Sequence, residues 1–188
     1  GDRVLIHAGV DISAVEFFRF STNRSWTRDY GPLFITRPDP KPASAIVGFG
    51  CNGWAKHPDW KADAAVPART ARALGVNLFR PTVNGRVVVL EGGSIDTNGR
   101  GTVLTTEECL LDQRTQVRNP GLGRAETEEM LRGYLGATTV LWLGRGIAGD
   151  DTHGHVDDLC RFVGPRTVVL CREDDPHDAN YRPLRENR

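Results

Sequence analysis

Short apolar runs alternate with polar turns along the chain, and most are of strand length. "VEFFRF" (15–20), "PLFIT" (32–36), "SAIVGF" (44–49), "RVVVL" (86–90), "GTVLT" (101–105), "TVLWL" (139–143) and "TVVLC" (167–171) are rich in β-branched and aromatic residues and predict strands. Two longer stretches predict helices closed by glycine: "VPARTARALG", ending on Gly75, and "RAETEEMLRGYLG", with early acids, ending on Gly136. "TTEECLL" predicts a further short helix, with Thr105 and Glu108 spaced as a capping box. The mixture predicts an α/β fold.

A weak internal repeat runs through this pattern. The polar clusters "WTRDYGPLFI", "LEGGSIDTNGRGTVLTT" and "HGHVDDLCRFVGPRTVVL" place Asp29, Glu91 and His155 at successive spacings of 62 and 64 residues. The last two clusters each lead into strand, turn and strand, with "TNGRG" and "VGPR" as the turns. Equivalent units at equal spacing suggest radial repetition about an axis, which would bring the polar group of every unit to a shared centre. Asp29, Glu91, His155 and Asp157 are therefore expected to converge.

Composition narrows the function. The chain has 188 residues, 39% of them apolar, enough for the core of one domain spanning residues 1–188. Lys plus Arg equals Asp plus Glu at 24 each, so no global field draws in nucleic acid or an anionic membrane, and a small molecule is the expected partner. No apolar run reaches about 18 residues and the start lacks a signal-peptide layout, which points to a cytoplasmic protein. The cysteines show no CxxC spacing, and Cys109, Cys160 and Cys171 lie in apolar runs where buried free thiols are commonest.

The densest chemistry is "GDDTHGHVDD" (149–158), with four carboxylates and two imidazoles in ten positions. If the stretch is extended, His153 and His155 share a face. Such groups serve equally as metal ligands and as a metal-free acid/base set that grips a cation. "THGHVDD" imitates the HxHxDH run of metallo-β-lactamase-like hydrolases, but Asp158 stands where the final histidine belongs and downstream only His177 is on offer. A metal reading also leaves "WTRDYGP" and "EGGS" unexplained.

"WTRDYGP", "EGGSIDTNGRGTVLTTEECLL", "RNPGL" and "GDDTHGHVDD", in this order, closely resemble the agmatine deiminase and Porphyromonas-type peptidyl-arginine deiminase family of the pentein superfamily. The resemblance implies an α/β-propeller of ββαβ modules, about three of five being present, that hydrolyses a guanidinium group with no metal and no cofactor. It implies that Asp29 and Asp157 hold the guanidinium, that Glu91 holds it and orients the histidine, and that His155 shuttles protons. Trp26 would line the pocket and Asp151 would receive a distal ammonium, while Arg28, Asp150 and His153 are expected to pair structurally. Agmatine is the expected substrate, with arginine or a peptidyl arginine as alternatives and a non-catalytic guanidinium-binding module as another.

The chemistry asks for these residue types. A guanidinium is planar, delocalised and cationic, so a thiolate attacks its carbon only when fixed carboxylates clamp the nitrogens and stabilise the charge. One histidine can protonate departing ammonia and then activate water. "HVD" as a strand would set His155 and Asp157 on one face roughly 7 Å apart, and neighbouring carboxylates should favour protonated His155. The family's nucleophilic cysteine lies in a glycine-rich "GGGNIHC"-like stretch not found in these residues. The chain is accordingly expected to be a fragment, inactive alone, whose ring is closed by further modules, another copy or a complementing chain. "RSW" (24–26) and Asp96 of "GGSID" depart from the commoner pattern.

Overall fold

The computed structural model describes residues 2–37 and 43–188. Helix α1 (Asp2–His7) and the single turn α2 (Thr27–Tyr30) precede the first sheet. Strand β1 (Leu33–Arg37) runs antiparallel to β2 (Ala43–Val47), pairing Leu33 with Val47. The chain crosses through α3 (Lys61–Ala64) and α4 (Val66–Leu74) and returns as β3 (Asn77–Phe79), parallel to β2 with Ile46 opposite Leu78. After a small hairpin of β4 (Thr82–Val83) and β5 (Arg86–Val87), the sequence of elements repeats. Strand β6 (Ile95–Thr97) is antiparallel to β7 (Thr102–Thr106); α5 (Glu107–Leu111) and α6 (Arg124–Leu135) follow, and β8 (Thr139–Leu143) lies parallel to β7. A third unit opens with β9 (Cys160–Gly164) antiparallel to β10 (Thr167–Leu170), then α7 (Tyr181–Glu186). Two complete ββαβ modules and the ββα part of a third are thus in place, the unit expected of a pentein.

The helices end as their sequences demand. Gly75 and Gly136 sit at φ 65° and 68°, and their amides return to carbonyls of the last turn. Helix α6 is pinned to its sheet by Trp142, whose indole donates to Glu128 at 2.8 Å. One apolar core joins the first two modules through Val47, Phe49, Leu90, Ile95, Val103 and Leu131; a second, with Leu104, Val156, Leu159 and Leu184, seats the third against β7. Among the described residues no helix is long and apolar enough to cross a membrane.

The structure departs from the sequence pattern in several places. Residues 15–20 are irregular, with Phe17 and Phe18 exposed and Phe18 stacked on Phe20, because among the described residues no strand pairs with them. In "RVVVL" only Arg86–Val87 forms a strand, and Val89 makes an isolated bridge to Gly50. Helix α5 is capped by Thr106, which accepts from the Cys109 amide, while the Thr105 hydroxyl is turned to the Ser94 carbonyl. His155 and Asp157 are not on a strand. His155 precedes a 3-10 turn (Val156–Asp158), and positive φ at His153 (62°) and Gly154 (93°) breaks any extended path between the two histidines. All four cysteines are free, but Cys171 is exposed rather than buried.

Candidate active site

Each module delivers its polar residue from the same slot, the tight turn just ahead of its first strand. Asp29 lies in α2 before β1, Glu91 heads the 3-10 turn Gly92–Ser94 before β6, and His155 heads the turn before β9. The turns pack closely. A methyl on Gly93 would lie 2.5 Å from His155 Nδ1 and 2.7 Å from Asp29 Oδ1, so only glycine lets the three modules meet here.

The convergence is tight. His155 Nδ1 is 3.7 Å from Asp29 Oδ1 and 3.9 Å from Asp157 Oδ1, while Nε2 on the opposite side is 3.6 Å from Glu91 Oε2. These spacings give charge attraction without formed hydrogen bonds, and Nε2 has no hydrogen-bond partner among the described residues. Asp29 is fixed by two other donors, the Gly93 amide and the Trp54 indole, each at 3.1 Å. His155 is held by its backbone: Asp150 accepts from the amides of Gly154 (2.8 Å) and His155 (3.2 Å). Arg28 stands 3.9 Å from Asp157, and His153 turns away to Asp112 at 2.7 Å. Arg28, Asp150 and His153 therefore pair as the sequence suggested.

Electrostatics follow from this crowding. Burial works against charge on His155, but the Glu91 and then Asp29 carboxylates outweigh it and lift the imidazole above its usual pKa. Burial likewise opposes ionisation of Glu91, yet His155 and Arg118 overcome it and hold the carboxyl below its usual value. Asp29 goes the other way: burial raises it, His155 opposes, and Glu91 adds to the rise.

A cleft of about 440 Å³ opens onto Asp29, His155 and Asp157, walled by Trp26, Trp54, His57, Arg24 and residues 149–152. Trp26 is 64% exposed at its mouth. Asp151 is also at the rim, its carboxylate 3.2 Å from Lys56 Nζ. Glu91, 1% exposed, is not on the cleft wall but beneath His155. Asp96 lies outside the cleft and accepts from the Phe162 amide at 2.7 Å, linking β6 to β9.

Sequence reasoning missed Trp54 and Arg118. Trp54 acts through a loop at φ 58°, which no linear spacing reveals. Arg118 belongs to "RNPGL", a recognisable motif, but its partner Glu91 is 27 residues earlier. Among the described residues, Glu91, Cys109 and His155 are the group close enough to share a metal ion, their donor atoms lying within 4.8 Å of one another. The set fits a cation poorly. Burial pushes the Cys109 thiol far up, and Glu91 already faces the Arg118 guanidinium at 3.2 Å.

Comparison with known proteins gives this geometry a family. A model of the Porphyromonas-type peptidyl-arginine deiminases matches residues 3–188. An agmatine deiminase of Medicago truncatula is 38% identical over 184 residues, covering 92% of this chain and 47% of that protein. One from Pseudomonas fluorescens is 36% identical over 179 residues, covering 93% and 46%. Among solved structures, an agmatine deiminase of Enterococcus faecalis superposes with a TM-score of 0.79 at 34% identity, over 90% of this chain and 45% of that one. A C. jejuni agmatine deiminase with substrate bound gives 0.76 at 29% identity, over 99% and 53%. The chain thus spans about half the length of the relatives it matches. With the module order, the converging turns and this match over nearly its whole length, the chain belongs to the Porphyromonas-type peptidyl-arginine deiminase family and carries the pentein fold.

Proposed function

We propose that these residues form the guanidinium-binding half of an agmatine deiminase, which converts agmatine and water to N-carbamoylputrescine and ammonia. The observation that carries the reading is the pair Asp29 and Asp157, both within 4 Å of His155 Nδ1 at the floor of an open cleft. Two carboxylates beside one imidazole suit a planar cation that must keep its charge while its carbon is attacked. A thiolate adds to the guanidinium carbon and the C=N electrons move to nitrogen. His155, raised in pKa, gives its proton to the departing nitrogen, and ammonia leaves a thiouronium. His155 then takes a proton from water, the hydroxyl adds to carbon, and the C–S bond breaks to return the thiolate as the carbonyl forms and the hydroxyl proton passes to solvent.

The thiolate in this proposal comes from outside the four cysteines present. Cys109 and Cys160 are buried with burial raising both thiols, and burial pushes the half-buried Cys51 up to about 11. Cys171 follows β10, its sulfur against the Asp158 carbonyl at 3.9 Å. None presents a ready thiolate to the cleft floor. Asp151 at the rim would exchange Lys56 for the distal ammonium of agmatine, which favours an amine over a carboxylate at that end.

Ammonia release from agmatine, arginine and an arginyl peptide tests the proposal. The full polypeptide containing these residues should turn over agmatine fastest, and residues 1–188 alone should turn over none. Failure of the full polypeptide on every guanidine would overturn the catalytic reading. Activity of the isolated 188 residues would overturn the external thiolate.

A further inference from the structure

We infer that the Arg118-Asn119 dipeptide is a positioning device that holds Glu91 ionised and in place beneath His155. This rests on the proposed role of His155 as the proton carrier, but its geometry is independent of any substrate. Arg118 is 4% exposed, and its Nε donates to both Glu91 oxygens, at 3.4 and 3.2 Å. Its remaining donors reach the carbonyls of Gln116, at 3.0 Å, and Thr152, three residues before His155. Asn119 works one step along. Its amide accepts from Val89 N at 2.9 Å and donates to Val89 O at 2.8 Å, gripping the backbone two residues before Glu91 as a neighbouring strand would. One dipeptide thus fixes the carboxylate, the segment that carries it and the loop that carries the histidine.

The buried surroundings make this control consequential. Glu91 is ionised against its own burial, and Arg118 is one of the charges that keep it so. On His155 the Glu91 carboxylate acts more strongly than Arg118, so losing Arg118 matters chiefly through Glu91. Without the guanidinium the buried Glu91 carboxylate has one counter-charge fewer against its own desolvation, so the Glu91–His155 pair should shift toward its neutral form. His155 would then hold its proton less firmly, while Asp29 and Asp157, which Arg118 does not contact, would keep their places.

The test uses the full polypeptide with Arg118→Met, Arg118→Lys and Asn119→Leu. It follows the His155 ring titration by NMR beside kcat and KM for agmatine. Arg118→Met should lower the His155 midpoint, move the alkaline limb of the rate profile down with it, and cut kcat about a hundredfold with KM changed less than about threefold. Arg118→Lys keeps the charge without the fork and should restore the midpoint but only part of kcat. Asn119→Leu should lower kcat with the midpoint near that of the parent. If Arg118→Met does not fold, the lysine and leucine variants decide the matter, and either one with parental kcat overturns the device. A His155 midpoint that stays or rises in a folded Arg118→Met protein overturns it as well. If the parent releases ammonia from no guanidine, the functional proposal fails, while the titrations still report on the Arg118–Glu91–His155 coupling.

Discussion

At Gly93 a hydrogen stands where any other residue would push a carbon against His155 and Asp29. Gly93→Ala should therefore separate that pair, lower thermal stability and remove most activity, although alanine adds no charge. Asp29→Asn and Asp157→Asn keep shape and remove charge. Losing one charge-assisted contact at a reacting centre costs on the order of 3 kcal/mol in the barrier, so either should fall at least about a hundredfold in ammonia release. Near-parental turnover would place the clamp elsewhere. His155 makes a pH prediction whose sign is fixed. Its pKa in the fold is raised above the value of 6.5 for a free imidazole. Its contribution to stability is fully present below that pH and is lost as pH rises through the raised value. The difference in Tm between the parent and His155→Gln should thus be larger at about pH 6 than at about pH 9. A gap that widens with pH would contradict the assignment. The four converging residues were legible in the sequence because each begins or ends a compact motif. Trp54 and Arg118 were not, since their partners are fixed by loop conformation and by contacts across the fold.

Among the elements, the short helix α5 is the most instructive. Its cap, Thr106, accepts from the Cys109 amide and donates to the Gly154 carbonyl at 2.5 Å, so one hydroxyl starts the helix and seats the loop before His155. Thr106→Ala removes a helix cap, about 1 kcal/mol, and leaves the Gly154 carbonyl unpaired, about as much again. A fall of several degrees in Tm with reduced activity is expected, and Thr106→Ser should recover both. The stretch 149–158 yields a second test. Because His153 turns to Asp112 while His155 faces Asp29 and Glu91, the two histidines do not share a ligand position. Elemental analysis should find no stoichiometric zinc, manganese or iron, and one bound ion per chain would reverse the metal-free reading. Most strands and both glycine-closed helices could be read from residue type and length. "VEFFRF" misled because β-branched and aromatic residues report fitness for a sheet, whereas a strand also needs a neighbour. "HVD" misled because alternation cannot register the positive φ at His153 and Gly154 that turns the chain.

For the whole molecule, the repeat of about 63 residues is the most informative signal, because equal spacing of equivalent units places their polar groups at a shared centre. Each module's second strand is the structural test of that symmetry. Strand β2 carries β3 and β7 carries β8, whereas among the described residues β10 pairs only with β9. Val168 and Val169 on β10 and Val163 on β9 are exposed. Bare strand edges beside apolar side chains invite pairing with other chains. Residues 1–188 in isolation should therefore self-associate, as sedimentation or light scattering would register; a stable monomer of 20.7 kDa would argue against it.

Asp96, outside the lining of the cleft, joins β6 to β9 through the Phe162 amide and stands 3.3 Å from Arg161. Since Glu91 and His155 are each borne on the turn just ahead of one of those strands, the angle between adjoining modules sets the gap between the two side chains. That joint works like the screw of a caliper whose jaws, Glu91 and His155, close beneath the cleft floor. Substitutions at that joint should retune the hold of the buried carboxylate on the imidazole while every side chain on the cleft wall stays the same.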